Sequence, residues 1–390
     1  MTASTHGCAI GMQLSQQQEA ARAEFRSFVE RDIVPHADDF DRHQRLPTHV
    51  IRTLAERGYL GPSIPVEFGG LGWDLVLSGL FYEELGRACS SVRSLVTVNC
   101  MTAHAILRWG SQAQKQQWLP RIASGEIICG FALSEPTAGS DASTVETTAA
   151  PKDGAYVLNG TKKWITFGQI AGLFLVVSRC DGHHAAFLVD GNSPGLTRED
   201  ITGLLGVRAS MLAAIHLNGC TVGRDRMLGN LGFGFAPVAT TAIEYGRYSV
   251  AWGSVGLAQA CLDASVRHAN TRKQFGRCLS DFQLIQQMIA RMVCNVKAAR
   301  ALCHQASALK MSNDPGAYME MNIAKYFASR VSFLCATDAV QIHGAVGCSE
   351  ESSVQRYFRD AKVMEIIEGS TQIQEINIGS GVLRQNSSEG

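Results

Sequence analysis

The stretch Glu126–Asp141, EIICGFALSEPTAGSD, marks the point where the chain changes from helical to strand-like patterning. Its apolar first half predicts a β-strand, and its second half predicts a loop dense in small residues. Ser134, Thr137 and Ser140 offer hydroxyl groups. The backbone at Gly139 lets a large planar group come close. The loop could hold the polar ring of a ligand, or it could be an ordinary β-turn with a capping serine.

Patterning on either side of this stretch divides the chain into three parts. Residues 12–125 carry apolar side chains at helical spacing, which predicts an α-helical domain. Residues 126–234 contain short apolar or alternating runs between turns, which predicts a β domain. In residues 235–384 the long helical periods return and predict a helical bundle. The predicted fold class is therefore α+β, with several domains that pack as one body.

Turns that contain glycine punctuate the middle part of the chain. Asp153-Gly154, Asn159-Gly160 and Asp181-Gly182 fall between the apolar runs, where hairpin connections would lie. We therefore expect an antiparallel sheet rather than a doubly wound parallel one. The predicted strands span residues 127–133, 155–158, 162–166, 173–178, 185–189 and 213–217, and the predicted long helices span 242–270, 282–311, 318–344 and 353–367.

The composition excludes several classes of function. The 390 residues include 35 basic and 35 acidic side chains, so no net charge attracts nucleic acid or an acidic membrane surface. Twelve cysteines are scattered without the spacing of a metal site, so we expect reduced thiols and no bound metal. Residues 1–11 lack the features of a secretory signal, and no apolar stretch approaches the roughly 20 residues that span a bilayer. These features predict a soluble cytoplasmic protein.

A tryptophan and a threonine in the predicted strand Lys163–Thr166, KWIT, could contact a flat cofactor ring. Regular strand alternation would place Trp164 and Thr166 on the same face of the sheet. An aromatic plane and a hydroxyl on one face can stack on such a ring and hydrogen-bond its edge. The alternative is a half-buried tryptophan on a sheet, which is common.

Two segments between helices could contact other parts of a ligand. The basic turn Thr271–Arg277, TRKQFGR, is followed by Phe282-Gln283 and could bind a diphosphate, because guanidinium pairs with phosphate oxygens in a two-pronged geometry. A solvated basic loop is the alternative. In Gln341–Gly347, QIHGAVG, a predicted helix ends in glycine-containing backbone suited to close contact. His343 in this segment could equally cap the helix or pack against it.

Glu368 is the candidate catalytic base. It lies in Val363–Gln374, VMEIIEGSTQIQ, between an apolar residue and a glycine, where poor solvation would raise its pKa. Thr371 and Gln374 have the spacing of a capping box, so Glu368 would precede a helix amino terminus. The alternative is an acid that only complements the helix dipole.

Glu244 and Arg247 are three residues apart on one predicted helix face, which makes them neighbours. They are either a surface ion pair or groups beside an acyl substrate near Glu368.

The order and spacing of five motifs resemble those of the acyl-CoA dehydrogenase family. These motifs are SEPTAGSD, KWIT, RKQFG, QIHGAVG and EIIEGSTQIQ, and the resemblance covers Leu14 to Leu383. It implies an amino-terminal α-helical domain, a central β-barrel-like domain and a carboxyl-terminal four-helix bundle, with FAD between the β domain and the bundle. It also implies a homotetramer or dimer, and an electron-transfer flavoprotein or similar acceptor.

The resemblance also assigns roles to residues of this chain. Glu368 would remove a proton α to a thioester carbonyl while hydride passes from the β carbon to the flavin. The substrate would meet Ser140, Glu244, Arg247 and Gly369. The residues implied to bind FAD are Phe131, Leu133, Ser134, Gly139, Ser140, Trp164, Thr166, Arg272, Phe282, Gln283, Gln341, His343, Gly344, Ala345, Ser370 and Gln372.

Some members of the family carry the base instead on the helix that contains Glu244 and Arg247, at the position just before the arginine. Gly246 occupies that position here, so no rival carboxylate competes with Glu368. In similar enzymes the thioester carbonyl receives hydrogen bonds from the backbone N–H of the base and from a ribityl hydroxyl of FAD, and these strengthen as enolate character develops.

Two departures from the family pattern leave the substrate open. The run Arg208–Ala214, RASMLAA, is similar to dehydrogenases of secondary metabolism whose acyl group rides on a carrier protein. Ile367 replaces the aromatic residue that often precedes the base. The substrate is therefore an acyl-CoA, or an acyl, hydroxyacyl or aminoacyl group on a carrier protein. Further alternatives are an oxidase that uses oxygen and a catalytically silent flavoprotein.

Overall fold

Six α-helices form the amino-terminal part of this computed structural model, which describes residues 14–387 and, for residues 385–387, the backbone only. They are α1 (Gln16–Asp32), α2 (Ala37–His43), α3 (Thr48–Glu56), α4 (Leu75–Ala88), α5 (Ser90–Trp109) and α6 (Gln112–Ala123). A capping box of Ser15 and Gln18 begins α1. The predicted domain start at residue 12 and the expected absence of a signal in residues 1–11 concern residues outside the described range.

A seven-stranded sheet follows the helices. Its strands are β1 (Cys129–Ala132), β2 (Thr148–Lys152), β3 (Ala155–Ile165), β4 (Leu173–Cys180), β5 (His183–Asp190), β6 (Leu196–Asp200) and β7 (Ala213–Gly223). They are arranged in the order β1-β4-β2-β3-β7-β6, and β5 also pairs with β4. Strands β4 and β5 are almost wholly buried, which places the core of this part around them.

The sheet is mainly antiparallel, as expected, but it contains two parallel pairings that the sequence did not predict. The pairs β2–β3, β3–β7, β4–β5 and β6–β7 are antiparallel, but β1 runs parallel to β4, and β2 meets β4 in parallel at Thr148 and Arg179. Turn residues specify only the pairing of strands that are adjacent in sequence. The pairing of β1 with β4 joins strands separated by two others, which no turn signal reports.

The Asn159-Gly160 pair does not form a hairpin turn. It lies inside β3, where the pairing with β7 shifts register between Leu158 and Gly160 as at a β-bulge. Asn159 Oδ1 accepts a hydrogen bond from the Gly219 backbone N at 2.8 Å, and a Cβ on Gly160 would lie 2.5 Å from Thr147 Oγ1. The two runs predicted as separate strands are therefore one strand. The other two turn predictions are consistent with the structure, because Asp153-Gly154 and Asp181-Gly182 connect paired strands with positive φ at both residues.

A buried ion pair fixes the loop that follows β1. Lys162, which is fully buried, donates from Nζ to Glu135 Oε1 at 2.7 Å and to the Leu133 carbonyl at 3.0 Å. Glu135 also accepts hydrogen bonds from the backbone amides of Glu146 and Thr147 and from the Thr147 hydroxyl. Burial alone would raise the pKa of Glu135, but these donors hold it below its ordinary value. The loop is thereby tied to the strand that carries Trp164.

Five helices form the carboxyl-terminal part: α7 (Thr240–Thr271), α8 (Gln283–Met311), α9 (Ala317–His343), α10 (Val354–Met364) and α11 (Thr371–Ser387). Between α7 and α8 lies a small hairpin of β8 (Lys273–Gln274) and β9 (Arg277–Cys278). Helix α9 packs against α7, α8, α10 and α11. The predicted architecture of a helical domain, a central β domain and a helical bundle is thus confirmed, with the β domain as a curled sheet.

One helix has the length and composition of a membrane span. Residues Ala317–Cys348 have a mean hydropathy of 1.2 in their most apolar window, so the expectation that no stretch approaches this length was wrong. Ala324, Ala328, Ala336 and Ala339 of α9 are buried inside the protein. A helix that lies in the core of a bundle satisfies the same test.

Glycines bring the amino-terminal and carboxyl-terminal helices into backbone contact. A Cβ on Gly86 of α4 would overlap the backbone of Gly253 in α7, and a Cβ on Gly256 would overlap the Glu83 carbonyl. The helical parts are also joined to the sheet, because Cys129 N donates to Asn99 Oδ1 of α5 at 2.8 Å. The bundle, the amino-terminal helices and the sheet therefore meet around α5 and α7.

The cysteines form neither disulfides nor metal sites in residues 14–387. The eleven described cysteines are unpaired; eight are buried, and Cys294 and Cys348 are exposed. Within the same range, no three or more His, Cys, Asp or Glu side chains are grouped as metal ligands. Cys8 lies outside the described residues.

The ion pair of Lys162 and Glu135 gives a prediction for stability. Lys162→Met leaves the Glu135 carboxylate buried without its cation, which costs about 3 kcal/mol or more for a buried pair. We expect the thermal unfolding midpoint, followed by circular dichroism, to fall by several degrees. The control is Lys163→Met, which removes a partly exposed lysine that lies over the Trp164 ring and should change the midpoint little. Equal midpoints for the two variants would contradict the role of the pair.

Candidate active site

Glu368 lies in the turn between α10 and α11, in a backbone conformation that is uncommon for this residue. Its φ is 56° and that of Gly369 is 92°, so two consecutive residues are left-handed. The turn is held from the bundle: Arg247 Nε and Gln374 Nε2 each donate to the Glu368 carbonyl at 3.1 Å, and Lys325 Nζ donates to the Gly369 carbonyl at 2.7 Å. These contacts fix the direction in which the Glu368 side chain leaves the backbone.

The expected capping box at the start of α11 is not formed. Ser370 Oγ accepts the hydrogen bond from Ile373 N at 3.4 Å, and Thr371 Oγ1 donates to the Glu365 carbonyl at 3.3 Å. Gln374 does not reach back to a capping residue, because its amide binds the Glu368 carbonyl instead. The expected position of Glu368 just before the helix is correct, but the cap is Ser370.

The Glu368 carboxylate lies against Gly246 of α7. A Cβ built on Gly246 would lie 2.5 Å from Glu368 Cδ and 3.0 Å from Oε1, so any larger residue would displace the acid. Gly246 therefore provides the space that the carboxylate fills. A glycine at this position thus accommodates a carboxylate that comes from another element.

Burial raises the pKa of Glu368 to about 7, while the charges of Arg247, Lys325 and Arg93 oppose this shift. Burial likewise lowers the pKa of Lys325 to about 7, against the attraction of Glu368. The Glu368 side chain is only half-buried by surface area, so a reactant can still reach it although the surrounding protein removes most of its solvation. An acid with this pKa can accept a proton near neutral pH.

Arg247 and Glu244 do not form the ion pair that their spacing allows. Arg247 is buried and donates from Nη1 to Tyr318 Oη at 2.9 Å and to Asn322 Oδ1 at 3.0 Å. Glu244 pairs with Lys310 at 2.8 Å. Arg247 therefore supports the turn of the base, and Glu244 faces a different space.

Glu244 lines a cavity of about 230 Å³ that Glu368 does not line. Its walls include His104 of α5, Tyr245 of α7 and Lys310 of α8. The His104 ring is stacked on the Tyr245 ring with centroids 3.9 Å apart, and His104 lies 2.9 Å from Ser63 Oγ. Since Tyr245 precedes Gly246, this cavity adjoins the helical turn that carries the Glu368 carboxylate.

Two buried cations near the base escaped the analysis of the sequence. Arg93 of α5 is 1% exposed, and Lys325 of α9 is fully buried. Each is a single basic residue within a helical stretch of small and apolar residues, which is the signal that could have identified it. Their proximity to Glu368 depends on how α5, α7 and α9 pack, and this is not visible in periodicity.

The loop after β1 and the end of β3 form one continuous surface. Lys163 N donates to the Ser134 carbonyl at 2.9 Å, which joins the two segments. Phe131 and Ser134 are half-buried, Leu133 is buried, and Gly139 and Ser140 are exposed. Within the described chain, the amides of Gly139 and Ser140 donate no hydrogen bond, and the hydroxyls of Ser134, Ser140 and Thr166 have no partner.

Regular alternation does not explain the position of Trp164. Its φ is 64°, the pairing of β3 with β7 shifts register between Lys162 and Ile165, and Thr166 follows the strand end. The expectation that regular strand alternation places Trp164 and Thr166 on one face was therefore wrong. The irregularity turns the Trp164 ring outwards, where it is 52% exposed. An open aromatic plane beside unpaired amides and hydroxyls fits the ring system of FAD.

The other residues expected to bind FAD form a second group. His343, at the end of α9, is stacked on His268, near the end of α7, with ring centroids 4.2 Å apart. His343 also has Nδ1 2.8 Å from the Ala339 carbonyl, so it packs and caps in this chain. The exposed members of the group are Arg272, Gln283, Gln341, Gly344 and Ala345, and Phe282 is half-buried beneath the guanidinium of Arg277.

The structure brings the predicted residues together in separate places. Ser370 and Gln372 follow the base directly, in the turn and the first residues of α11. Among residues 14–387, no hydrogen bond, ion pair or ring contact joins the group around Arg272 and His343 to the surface around Trp164. One chain thus presents the residues expected to bind FAD as two separate groups, one with free hydrogen-bond donors beside Trp164 and one with an exposed arginine.

Comparisons with known proteins agree with this geometry. The descriptions "Acyl-CoA dehydrogenase, N-terminal domain", "middle domain" and "C-terminal domain" match residues 15–126, 130–220 and 232–383. The chain is 36% identical over 379 residues to the mitochondrial short-chain specific acyl-CoA dehydrogenase of Mus musculus, covering 96% of this chain and 92% of that protein.

Two further matches differ in what their names describe. The glutaryl-CoA dehydrogenase of Desulfococcus multivorans is 35% identical over 370 residues, covering 92% of this chain and 95% of that protein. The crystal structure of the prolyl acyl carrier protein oxidase AnaB superposes with a TM-score of 0.91 at 26% identity, covering 95% of this chain and 100% of that chain. The chain belongs to the acyl-CoA dehydrogenase family and is a flavin oxidoreductase that acts on the CH–CH bond of an acyl thioester.

Proposed function

We propose that the protein catalyses the FAD-dependent α,β-dehydrogenation of an acyl thioester, with Glu368 as the base. The observation that carries this proposal is the Glu368 carboxylate held against Gly246 with its pKa raised to about 7. A group with this pKa is both available as a base near neutral pH and strong enough to assist removal of a proton α to a carbonyl.

The residues of the turn also serve the carbonyl of the substrate. The backbone N–H of Glu368 donates no hydrogen bond within the described chain, so it is free to donate to the thioester oxygen. That bond strengthens as negative charge develops on the oxygen during proton removal. Arg247 and Lys325 hold the carbonyls of Glu368 and Gly369, so the N–H and the carboxylate are fixed together.

FAD, when bound, would accept the hydride from the β carbon. The exposed ring of Trp164, the hydroxyls of Ser134, Ser140 and Thr166, and the amides of Gly139 and Ser140 would hold its ring system. Arg272, Phe282, Gln283 and the segment Gln341–Ala345 would hold its diphosphate and neighbouring parts, with Ser370 and Gln372 beside the base.

We propose that a second copy of the chain completes the FAD site in a homodimer or homotetramer. The separation of the two groups of FAD residues within one chain supports this. So does the apolar surface next to Arg272, where Phe275 is 93% exposed and Leu284 is 72% exposed. A location in the cytoplasm and an electron-transfer flavoprotein or similar acceptor are parts of the same proposal.

The substrate carrier and the acceptor have alternatives. The name of AnaB describes oxidation of a prolyl group on a carrier protein, and this favours a carrier-bound acyl, hydroxyacyl or aminoacyl substrate as the second candidate. In this chain Ala209 and Met211 of the RASMLAA run are buried against the helical core, and only Ala213 and Ala214 of the run belong to β7. An oxidase that uses oxygen is a further alternative.

The first test removes the base. Glu368→Gln keeps the volume of the side chain but cannot accept the proton, so we expect normal FAD content and no bleaching of the flavin absorbance by acyl thioester in stopped-flow. In the unaltered enzyme the rate of bleaching should rise with pH through about 7, because the carboxylate must be ionised to act as a base. Substantial bleaching by the variant would refute the assignment of Glu368.

A second test uses the space at Gly246. In Gly246→Ala the added Cβ forces the Glu368 carboxylate out of position, so we expect the flavin reduction rate to fall by about 10-fold or more, since small displacements of reacting groups are costly. Gly379→Ala is the matched control, because a Cβ there meets nothing within 4 Å on the same chain. Unchanged rates in Gly246→Ala would show that the carboxylate does not need this contact.

A third test distinguishes the substrate carriers. Matched acyl groups are presented as CoA thioesters and as thioesters of a phosphopantetheine carrier protein, and flavin bleaching is compared. Equal bleaching by simple acyl-CoAs would remove the carrier-protein alternative, whereas a strong preference for the carrier thioester would establish it. Peroxide formed without an added electron acceptor would identify an oxidase.

A further inference from the structure

We propose that the buried hydroxyls of Ser78, Tyr82 and Tyr245 bind an uncharged oxygen group on the acyl chain, either a carbonyl or a hydroxyl. The substrate is then an oxygen-substituted acyl thioester. This inference rests on the proposed dehydrogenation and names the class of its substrate. Ser78 and Tyr82 come from α4 and Tyr245 from α7, and none of the three holds the base or belongs to the residues expected to bind FAD.

The three hydroxyls are buried and have no hydrogen-bond partner in residues 14–387. Ser78 and Tyr82 are fully buried, and Tyr245 is 6% exposed. Each of these hydroxyls has given up its hydrogen bonds to water without a replacement, which is uncommon for buried polar groups in native proteins. Three such hydroxyls in one place indicate a ligand that completes their hydrogen bonds.

The three hydroxyls converge on one point. The rings of Tyr82 and Tyr245 meet edge to face, with centroids 6.4 Å apart. Ser78 and Tyr82 are four residues apart in α4, so they lie on one face of that helix. Burial raises the pKa of Tyr245, and the hydroxyls of Ser78 and Tyr82 are close enough to oppose this rise. An oxygen atom placed among them could receive hydrogen bonds from more than one hydroxyl.

The side chains stacked on or bonded to this cluster are uncharged. His104 of α5 stacks on the Tyr245 ring with centroids 3.9 Å apart, and its Nε2 lies 2.9 Å from Ser63 Oγ. Burial, together with the charge of Lys310, lowers the pKa of His104 to about 4, so its ring is neutral at pH 7. Neutral hydroxyls do not offset the charge of a buried carboxylate or ammonium group, whereas they match a carbonyl or a hydroxyl.

The hydroxyls lie close to the base. Tyr245 directly precedes Gly246, on which Glu368 packs, and the Cα atoms of Tyr245 and Gly246 are about 3.8 Å apart. Burial lowers the pKa of Arg93 to about 10, and Glu368 and Tyr82 are two of the neighbours that oppose this shift. An acyl group whose α carbon faces Glu368 therefore needs only a few further carbons to bring an oxygen to the hydroxyls.

The space beside Tyr245 can hold a short chain. Tyr245 and His104 line the cavity of about 230 Å³, whose walls include the apolar side chains of Leu75, Leu107 and Met321. An apolar cavity of about 150 Å³ is large enough for benzene. The thiol arm of the substrate must lead out to CoA or to a carrier protein. Fully buried hydroxyls are therefore suited to the free end of the acyl chain rather than to the arm.

The test compares acyl groups that differ in one oxygen. The FAD-loaded enzyme is mixed with N-acetylcysteamine thioesters in three pairs: 5-oxohexanoyl with 5-methylhexanoyl, 6-oxoheptanoyl with 6-methylheptanoyl, and 6-hydroxyhexanoyl with heptanoyl. We expect kcat/KM for flavin reduction to favour the oxygenated member of at least one pair by about 10-fold or more, because a site built to hydrogen-bond an oxygen rejects an analogue that lacks it. Tyr82→Phe and Tyr245→Phe, which remove only a hydroxyl, should each bring this ratio closer to one.

Tyr59→Phe is the matched control. It removes the hydroxyl of another buried tyrosine, which lies 3.4 Å from Glu24 Oε1 among the amino-terminal helices, and it should leave the ratio unchanged. Glu368→Gln, which cannot remove the α proton, allows the dissociation constants of the same pairs to be compared by calorimetry. We expect the same preference there, since it arises in binding.

The ratio within a pair separates specificity from a structural role of the tyrosines, because a loss of packing affects both members alike. A ratio near one in all three pairs would overturn the inference and would leave the hydroxyls to bind an ordered water only. A ratio that neither Tyr82→Phe nor Tyr245→Phe changes would also overturn it. Failure of every thioester, including CoA and carrier-protein thioesters, to reduce the flavin of the unaltered enzyme would overturn the proposed function itself, and this inference with it.

Discussion

The Glu368 carboxylate packs against Gly246, and side chains from α7, α9 and α11 hold the backbone carbonyls of Glu368 and Gly369. This contact sets the requirements for much of the surrounding structure. The turn must bring two left-handed residues together, which costs about 1 kcal/mol or more for a residue with a side chain. Arg247, Gln374 and Lys325 offset that cost because each donates to a carbonyl of the turn. The position of the base therefore depends on the packing of α7, α9 and α11 together.

The same packing explains why long helices surround the Glu368 carboxylate. Helix α7 meets α4 in backbone contact at Gly86 and Gly253, so its face is fixed with respect to the amino-terminal domain. That domain contributes Arg93, and the bundle contributes Arg247 and Lys325. A shift of α7 by about one ångström would move Gly246 and the groups that pack against it. The packing of these helices thus keeps the Glu368 carboxylate buried, and this burial raises its pKa.

The bounds of the long helices could be predicted almost to the residue. The candidate site could be predicted only as a set of segments, without the contacts between them. The run predicted at 318–344 forms α9 (Ala317–His343), because more than 20 residues of helical periodicity leave little ambiguity. Strands β2 and β6 were not predicted, since they are short and mostly exposed and carry little hydrophobic pattern. The Asn159-Gly160 bulge was read as a turn because both features favour the same residues.

Residues that act through tertiary contacts were the ones that the sequence did not identify. Glu368 was found because its motif is local, and Arg93 and Lys325 were missed because they come from helices far away in the chain. Thr371 and Gln374 had the spacing of a capping box, but Gln374 binds the Glu368 carbonyl instead. A local rule failed there because the turn of the base requires that donor. The capping-box rule therefore fails at the candidate active site itself.

The balance of charge around Glu368 constrains the reaction. In the proposed reaction Glu368 takes the α proton, so a carboxylate within electrostatic reach of Arg93, Arg247 and Lys325 becomes neutral. The negative charge would then develop on the thioester oxygen, to which the free N–H of Glu368 would donate. The anion is therefore displaced within the cluster rather than lost from it, and the buried cations stabilise the state in which the proton has moved. Arg247 and Lys325 would thus serve the proposed reaction in two ways, because they hold the carbonyls of the turn and also face the charge that moves within it.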